Sequence, residues 1–173
     1  AFVIFYIGCV FLLGLPLVLS EVFIGKAGQT DAVGSIRRVA AQSKASPSWA
    51  IFGGVGALAA FLIVSFYSVV AGWVLYYAGI MGGEHSGATE ATTDVLLTPD
   101  WSKLTPQVMN SALGQALFSL SLGVAGLITY GSYIKEGSGL GPTSALIAVA
   151  DTCVALLAGL MIFPIVFAVG LDP

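Results

Sequence analysis

Charged residues are scarce in this sequence. Only 9% of its 173 residues are Asp, Glu, Lys or Arg, whereas 57% are hydrophobic and the mean hydropathy is +0.97. A soluble globular chain carries roughly 25% charged residues, so this chain has too few to cover a water-facing surface. The composition therefore predicts an integral membrane protein, and the net charge of −3 gives no indication of nucleic-acid binding.

Residues typical of enzymatic and metal chemistry are also scarce. The two cysteines, Cys9 and Cys153, lie in apolar stretches without the spacing of a metal site or a disulfide framework, so they are predicted to be packing residues. The one histidine, His85, lies in an acidic loop, which leaves a serine protease without a base. An intramembrane aspartyl protease needs two membrane carboxylates, and only Asp151 is well placed. The sequence therefore predicts no enzyme.

Long apolar runs dominate what remains, and four of them reach the length of about 20 residues that crosses a bilayer. They are residues 1–25, 49–80, 110–134 and 143–170, which we interpret as a single transmembrane domain over 1–173. Lys and Arg collect on the cytoplasmic side of membrane proteins. The basic loop 26–48 is therefore predicted to lie inside, the acidic loop 81–109 outside, and both ends outside. An apolar outer start without a signal segment suggests an upstream part.

The third apolar run carries small and polar residues at its centre, in "LGQALFSLSLGVAGLITYGSYI" (113–134). Ser119 and Ser121 are two positions apart, so a continuous helix would point them to nearly opposite sides. Gly123 and Gly126 tolerate unusual backbone angles and favour a break. A broken helix exposes carbonyls for a cation and a half-helix N-terminus for an anion. The alternative is a continuous helix whose serines bond to their own i−4 carbonyls.

Three further polar residues lie within the apolar runs. Asp151 lies deep in the fourth, where a carboxylate costs about 2.5–3.5 kcal/mol and usually marks an ion path; beside hydroxyls and carbonyls it suits sodium. Its alternative is an interfacial position or a pair with Lys135. Glu21 is either interfacial or caps backbone N–H groups of a broken neighbour. Tyr67 lies in the middle of the second run, where a phenol needs a partner such as a ligand carboxylate.

Several stretches resemble one family, the neurotransmitter:sodium symporters. The second, third and seventh spans of that family resemble "LGLPLVLSEVFIG", "FYSVVAGWVLYY" and "DTCVALLAGLMIFPIVFA". The third outer loop and sixth span of its bacterial members resemble "LTPDWSKLTPQVMNSALGQALFSLSLGVAGLITYGSYI". The resemblance implies an all-α integral membrane fold with four transmembrane helices, the third discontinuous, which form part of the inverted-repeat symporter fold. It also implies part of a sodium-coupled transporter of amino acids or related amines.

The resemblance assigns roles to particular residues. Ser119 and Asp151 would be ligands of sodium, Glu21 would steady the unwound helices, and Gln115 would lie near the outer gate. The implied substrate site consists of Tyr67, Ile63, Phe118, Ser121 and Val124. Ala155 stands where chloride-independent members carry a carboxylate and chloride-dependent ones a serine, so the role of chloride stays open.

The resemblance covers only spans 2, 3, 6 and 7, because the sequence passes from the third-span stretch directly into the third outer loop. It therefore implies that further transporter helices, or a partner chain, complete the site within a multi-pass protein of the cell membrane, the inner membrane in a bacterium. The expected partners are then a small amino acid or amine and membrane lipid. The alternative is a non-transporting or truncated membrane protein that only packs with partner helices.

Overall fold

The structure, a computed structural model, describes the backbone of residues 1–80, 98–135 and 137–168, and the side chains of these residues except 74–80, 161 and 164–168. The predicted acidic outer loop, with His85, lies largely outside this part. The α-helices are α1 (Phe2–Cys9), α2 (Leu15–Gly28), α3 (Ala32–Gln42), α4 (Ala50–Ile80), α5 (Pro106–Ser119), α6 (Gly126–Ser132) and α7 (Leu140–Ala168). A π-helical turn, Val10–Gly14, joins α1 to α2, and 3₁₀ turns at Pro47–Trp49 and Trp101–Lys103 precede α4 and α5. No strand occurs among the described residues, so the predicted all-α class is confirmed.

Three continuous helices are long and apolar enough to cross a membrane, namely Phe2–Gly28, Pro47–Trp73 and Leu140–Leu160. A helix of 27 residues, such as the first of these, is about 40 Å long at 1.5 Å per residue, which exceeds the hydrocarbon core of a bilayer. The third predicted crossing is divided between α5 and α6, with residues 120–125 between them. The expected discontinuous membrane segment is therefore present.

The first spanning helix accommodates a proline without ending. Pro16 stands at the beginning of α2, directly after the π-helical turn Val10–Gly14. A proline inside an α-helix removes a backbone donor, and its ring clashes with the carbonyl four residues earlier. A π turn widens the helix by one residue at this point, which relieves that clash. The helix thus continues to Gly28 with a local irregularity at Val10–Gly14.

The two halves of the broken crossing pack against the two halves of the first spanning helix. α5 contacts α1, and α6 contacts α2. α2 and α6 approach at two glycines. A Cβ atom at Gly25 would collide with the carbonyl oxygen of Ile128, and one at Gly131 would lie 2.5 Å from the carbonyl oxygen of Val22. Small residues of this kind allow helix backbones to meet in membranes.

Substitution of Gly25 by alanine is therefore expected to destabilise the fold by about 1–3 kcal/mol, the usual cost of forcing an extra methyl group into a packed contact. Gly8 provides the matched control, because it lies in the same spanning helix and a Cβ there meets no heavy atom within 4 Å. We expect Gly8→Ala to leave stability unchanged or raise it by up to about 1 kcal/mol. Thermal unfolding followed by circular dichroism in detergent micelles compares the two. Equal melting temperatures for both variants would contradict the close packing of α2 on α6.

Two hydrophobic clusters organise the bundle. The larger cluster joins α1, α2, α5, α6 and α7 through Tyr6, Cys9, Val10, Val18, Val22, Ala112, Ala116, Leu120, Leu127 and Ala148. The smaller cluster consists of Ala32, Ala125 and Ile128, with Ile24 and Ile36 against it. It packs α3 beneath the break in the third crossing. Both clusters therefore meet at residues 120–128.

α4 is attached to the bundle mainly by its beginning. Among the described side chains and glycines of α4, Ala50, Gly53 and Gly56 are buried, and the helix contacts α3 and α6. Further along, large apolar side chains such as Phe61 and Phe66 are exposed. In a membrane these side chains contact lipid or further helices.

Candidate functional site

The break in the third crossing is built by backbone angles of the left-handed region. α5 ends at Ser119 and α6 begins at Gly126. Between them Ser121, Gly123 and Ala125 have φ of 53°, 78° and 62°. Non-glycine residues rarely adopt such angles, so Ser121 and Ala125 are held there by their surroundings. The alternative of a continuous helix through this segment is therefore wrong.

Ser119 and Asp151 meet at the end of α5. The Ser119 hydroxyl donates to Asp151 Oδ2 at 2.8 Å, rather than to a carbonyl one turn earlier. The Asp151 side chain is half-buried on α7 and points at the break. Its predicted alternative, a pair with Lys135, does not occur among the described side chains. The structure thus brings together the two residues assigned to sodium.

Tyr6 joins this pair and was missed by sequence reasoning. Its hydroxyl lies 3.1 Å from Ser119 Oγ, and the Tyr6 ring is buried. Because the Ser119 hydrogen is used on Asp151, Tyr6 is the donor in this contact. Tyr6 therefore fixes the direction in which Ser119 points. The sequence does contain a signal for Tyr6, because a phenol within an apolar run needs a polar partner. The same reasoning identified Tyr67 as a candidate.

The oxygen ligands at the end of α5 suit a sodium ion. Ser119 and Asp151 offer a neutral and an anionic oxygen, and the broken backbone beside them offers carbonyls, which are the ligands that unwound transporter helices present to sodium. A transition metal would favour nitrogen and sulfur ligands. No group of three or more His, Cys, Asp or Glu residues forms within the described part of the chain. The residues present therefore fit sodium in chemical kind, with one negative charge to balance the cation.

A cavity of about 740 Å³ lies against the break. This volume is within the range of small-molecule sites, roughly 300–1,000 Å³. The resemblance assigned a sodium, substrate, gate or supporting role to nine residues, and eight of them line this cavity: Ile63, Tyr67, Gln115, Phe118, Ser119, Ser121, Val124 and Asp151. Its walls come from α4, α5, the break, α6 and α7, and the remaining lining is mostly apolar.

One wall of the cavity is aromatic. The rings of Tyr67 and Phe118 stack, with centroids 6.0 Å apart and planes inclined by 23°. The Tyr67 hydroxyl makes no hydrogen bond with any residue that the structure describes. The phenol that sequence analysis expected to need a partner is thus available to a ligand in the cavity.

Glu21 does not line the cavity but supports the break from behind. Its Oε1 accepts a hydrogen bond from the Gly123 backbone N–H at 2.8 Å. Its Oε2 is buried and has no hydrogen-bond partner among the described residues. Of the two alternatives for Glu21, contact with the broken neighbour is the one observed. Lys26, five residues later, instead donates to the Ser138 carbonyl at 2.6 Å.

Comparison with known proteins defines the class to which this fold and site belong. The sequence profile of the Sodium:neurotransmitter symporter family matches residues 80–169, more than half of the chain. The chain therefore belongs to this family, which confirms the resemblance found in the sequence.

Individual relatives agree with this assignment. The chain is 28% identical to the uncharacterized sodium-dependent transporter YhdH of Bacillus subtilis, an alignment that covers the whole chain and 53% of the relative. It is 29% identical to an uncharacterized sodium-dependent transporter of Haemophilus influenzae, again over the whole chain and 54% of the relative. A sodium-dependent nutrient amino acid transporter 1 of Drosophila ananassae is 31% identical over 62% of the chain and 16% of its own length. No solved structure matches the chain significantly.

The chain spans about half the length of the bacterial relatives it matches. The two bacterial alignments extend over 243 and 252 positions, although the chain has 173 residues. The relatives therefore contain internal stretches without a counterpart here, about 70 positions in the first case.

Proposed function

We propose that this chain is part of a sodium-coupled secondary transporter, a symporter, of amino acids or related amines. The observation that carries the proposal is the break in the third crossing, which brings the Ser119 hydroxyl onto the Asp151 carboxylate at the wall of a ligand-sized cavity. The family supports sodium dependence, and the nutrient amino acid transporter of Drosophila supports the substrate class. The sequence analysis predicts no enzyme, and the family to which the chain belongs consists of transporters.

Sodium is held by Ser119 and Asp151 in this proposal, and when bound it supplies positive charge at the cavity wall. Asp151 balances that charge. Tyr6 keeps a lone pair of Ser119 directed into the site, because it donates to Ser119 from behind. Glu21 maintains the break by binding the Gly123 N–H. The coupling of sodium to substrate then follows from their adjacency, because both sites share one wall.

The substrate occupies the cavity beside the Tyr67–Phe118 pair. The Tyr67 hydroxyl, which has no partner among the described residues, binds the substrate carboxylate, and the ring of Phe118 covers the substrate. Ser121 and the backbone carbonyls of the break receive the amine. Ile63 and Val124 face the substrate side chain, which leaves room for a medium or large apolar group. Gln115, also on the wall, lies one turn before Ser119, toward the outer gate.

Further helices complete the site in this proposal, supplied by the remainder of the protein or by a partner chain. Two observations support this. The exposed apolar side of α4 is unpartnered among the described residues. The alignment with the Bacillus subtilis relative also contains about 70 positions without a counterpart in this chain, a length sufficient for two more spans. The complete protein is then a multi-pass protein of the cell membrane, with loop 26–48 on the cytoplasmic side.

Uptake by proteoliposomes tests the function. Vesicles that contain the protein receive an inward sodium gradient and a mixture of radiolabelled amino acids. We expect accumulation above equilibrium with sodium outside, and none when choline replaces it. Replacement of chloride by gluconate in the same assay decides the role of chloride. No accumulation under any condition, together with no binding of sodium or amino acids by the purified protein, would favour the alternative, a membrane protein that only packs with partner helices.

A further inference from the structure

Five of the six basic residues of the chain lie at one end of the bundle. They are Lys26, Arg37, Arg38, Lys44 and Lys135. The sixth, Lys103, lies within the predicted outer loop 81–109, at the opposite end. The basic end contains α3, an 11-residue helix between the spanning helices α2 and α4.

Two of these five basic side chains form hydrogen bonds within the fold. Lys26 donates to the Ser138 carbonyl, and Arg38 Nη1 donates to the Gly28 carbonyl at 2.8 Å, which caps the end of α2. The other three, Arg37, Lys44 and Lys135, are exposed, and their side chains form no hydrogen bond or ion pair with any residue in the described part of the chain. Three positive charges at this end are therefore unpaired among the described residues.

The carboxylate of α3 does not neutralise them. Asp31 caps the beginning of the helix, where its Oδ1 accepts from the Gly34 N–H at 2.9 Å. That hydrogen bond lowers the pKa of the Asp31 carboxyl, so it is ionised and engaged at the end of the helix away from Lys44.

α3 packs by one side and leaves Arg37 exposed. Lys44 stands two positions after Gln42, the last residue of the helix. The packed side buries Ala32, Ser35 and Ala40. A short helix with a packed side, an exposed arginine, a lysine just after its end and a place between two spanning helices has the character of a helix at the membrane interface.

The level of the interface is marked by aromatic residues nearby. Trp49 and Phe52 are exposed at the start of α4 and stack with centroids 5.4 Å apart. Exposed aromatic residues at the end of a membrane helix lie at the headgroup level. Trp49 follows Lys44 by five positions, so Lys44 lies near this level.

α3 is also fixed rigidly to its neighbours. Gly28 packs directly against Ser35, whose hydroxyl donates to the Thr30 carbonyl at 2.8 Å. Arg38 adds its bond to Gly28. A rigid mounting reduces the entropy lost when a ligand binds to the exposed cations.

We propose that Arg37 and Lys44, together with Lys135, bind the phosphate groups of anionic phospholipids in the leaflet that faces this end of the bundle. Charge complementarity and position at headgroup level support this partner. Each basic residue near an anionic membrane surface contributes roughly a fivefold preference for the anionic lipid. The proposal does not depend on transport.

Trp49 provides the reporter for the test. Trp73→Phe and Trp101→Phe leave it as the single tryptophan, since the chain has three. The full chain is reconstituted in phosphatidylcholine vesicles that contain a headgroup-proximal spin label on either phosphatidylglycerol or phosphatidylcholine. We expect labelled phosphatidylglycerol to quench Trp49 at a mole fraction about fivefold or more lower than labelled phosphatidylcholine. High salt should reduce this difference.

The double variant Arg37→Gln/Lys44→Gln should lose most of the preference, whereas Lys103→Gln, at the other end, should retain it. Circular dichroism checks that both variants fold. Equal quenching by the two labelled lipids in the parent chain would overturn the proposal. A preference that survives unchanged in the double variant would overturn it as well.

Discussion

Asp151→Ala is expected to reduce uptake strongly at the sodium concentration that half-saturates the parent protein. Asp151 is the only acidic residue that lines the cavity within the described part of the chain. Its loss removes the negative charge opposite the cation and leaves the Ser119 hydroxyl without its acceptor. An interaction with a charged group contributes about 1.5–3 kcal/mol, so the half-saturating sodium concentration should rise roughly 10- to 100-fold. Uptake measured against external sodium concentration gives this value directly.

Graded variants separate charge from geometry at the same site. Asp151→Asn keeps an oxygen ligand and should lose less than Asp151→Ala. Ser119→Ala removes one neutral ligand, and Tyr6→Phe only the group that orients Ser119, so their effects should be smaller in that order. Asp100→Ala is the control, because this carboxylate is exposed and caps the turn Trp101–Lys103, far along the chain from the break. Sodium dependence that is unchanged in Asp151→Ala would disprove the assignment of this site.

Glu21→Ala is expected to destabilise the fold and to reduce uptake together. The Glu21 carboxylate holds the Gly123 N–H, and its second oxygen is buried. Without the carboxylate, a backbone donor in the break loses its partner, at a cost of about 1.5–3 kcal/mol for a charged hydrogen bond. Glu21→Gln retains an acceptor and should lose less. The free energy of unfolding, measured by denaturant titration in mixed micelles, gives the comparison.

Ser20→Ala is the matched control for Glu21, since Ser20 is the preceding residue and is exposed, with its hydroxyl bonded only to the Leu17 carbonyl of its own helix. Its effect should stay within about 0.5 kcal/mol. If Glu21→Ala were no more destabilising than Ser20→Ala, Glu21 would not be a support of the break.

The break in the third crossing was predictable because the residue types of this segment are unfavourable for the centre of a continuous membrane helix. Glycines and serines at the centre of an apolar run favour unwinding, and Gly123 does take a positive φ. The positive φ of Ser121 and Ala125 was not predictable, because neither residue type favours that region. At Ala125 the cause is tertiary, since its side chain is buried against Ala32 and Ile128.

Contacts between distant parts of the chain were harder to predict. Tyr6 and Ser119 are separated by 113 positions, and nothing in the local pattern pairs them. The pairing of Ser119 with Asp151 was expected only through the family resemblance. Local signals were also overlooked. Loop 26–48 contains α3, whose start is marked by the capping residue Asp31. Pro16, inside the first apolar run, is accommodated by a π turn.

The central claim is that the third crossing unwinds between α5 and α6 and thereby places Ser119 on Asp151. Solid-state NMR of the isotope-labelled chain in lipid bilayers measures the Cα and Cβ chemical shifts of Ser121 and Ala125, which report their backbone angles. The account predicts left-handed values for both, in agreement with φ of 53° and 62°. Ordinary α-helical shifts at every position from Ser119 to Gly126 would contradict it.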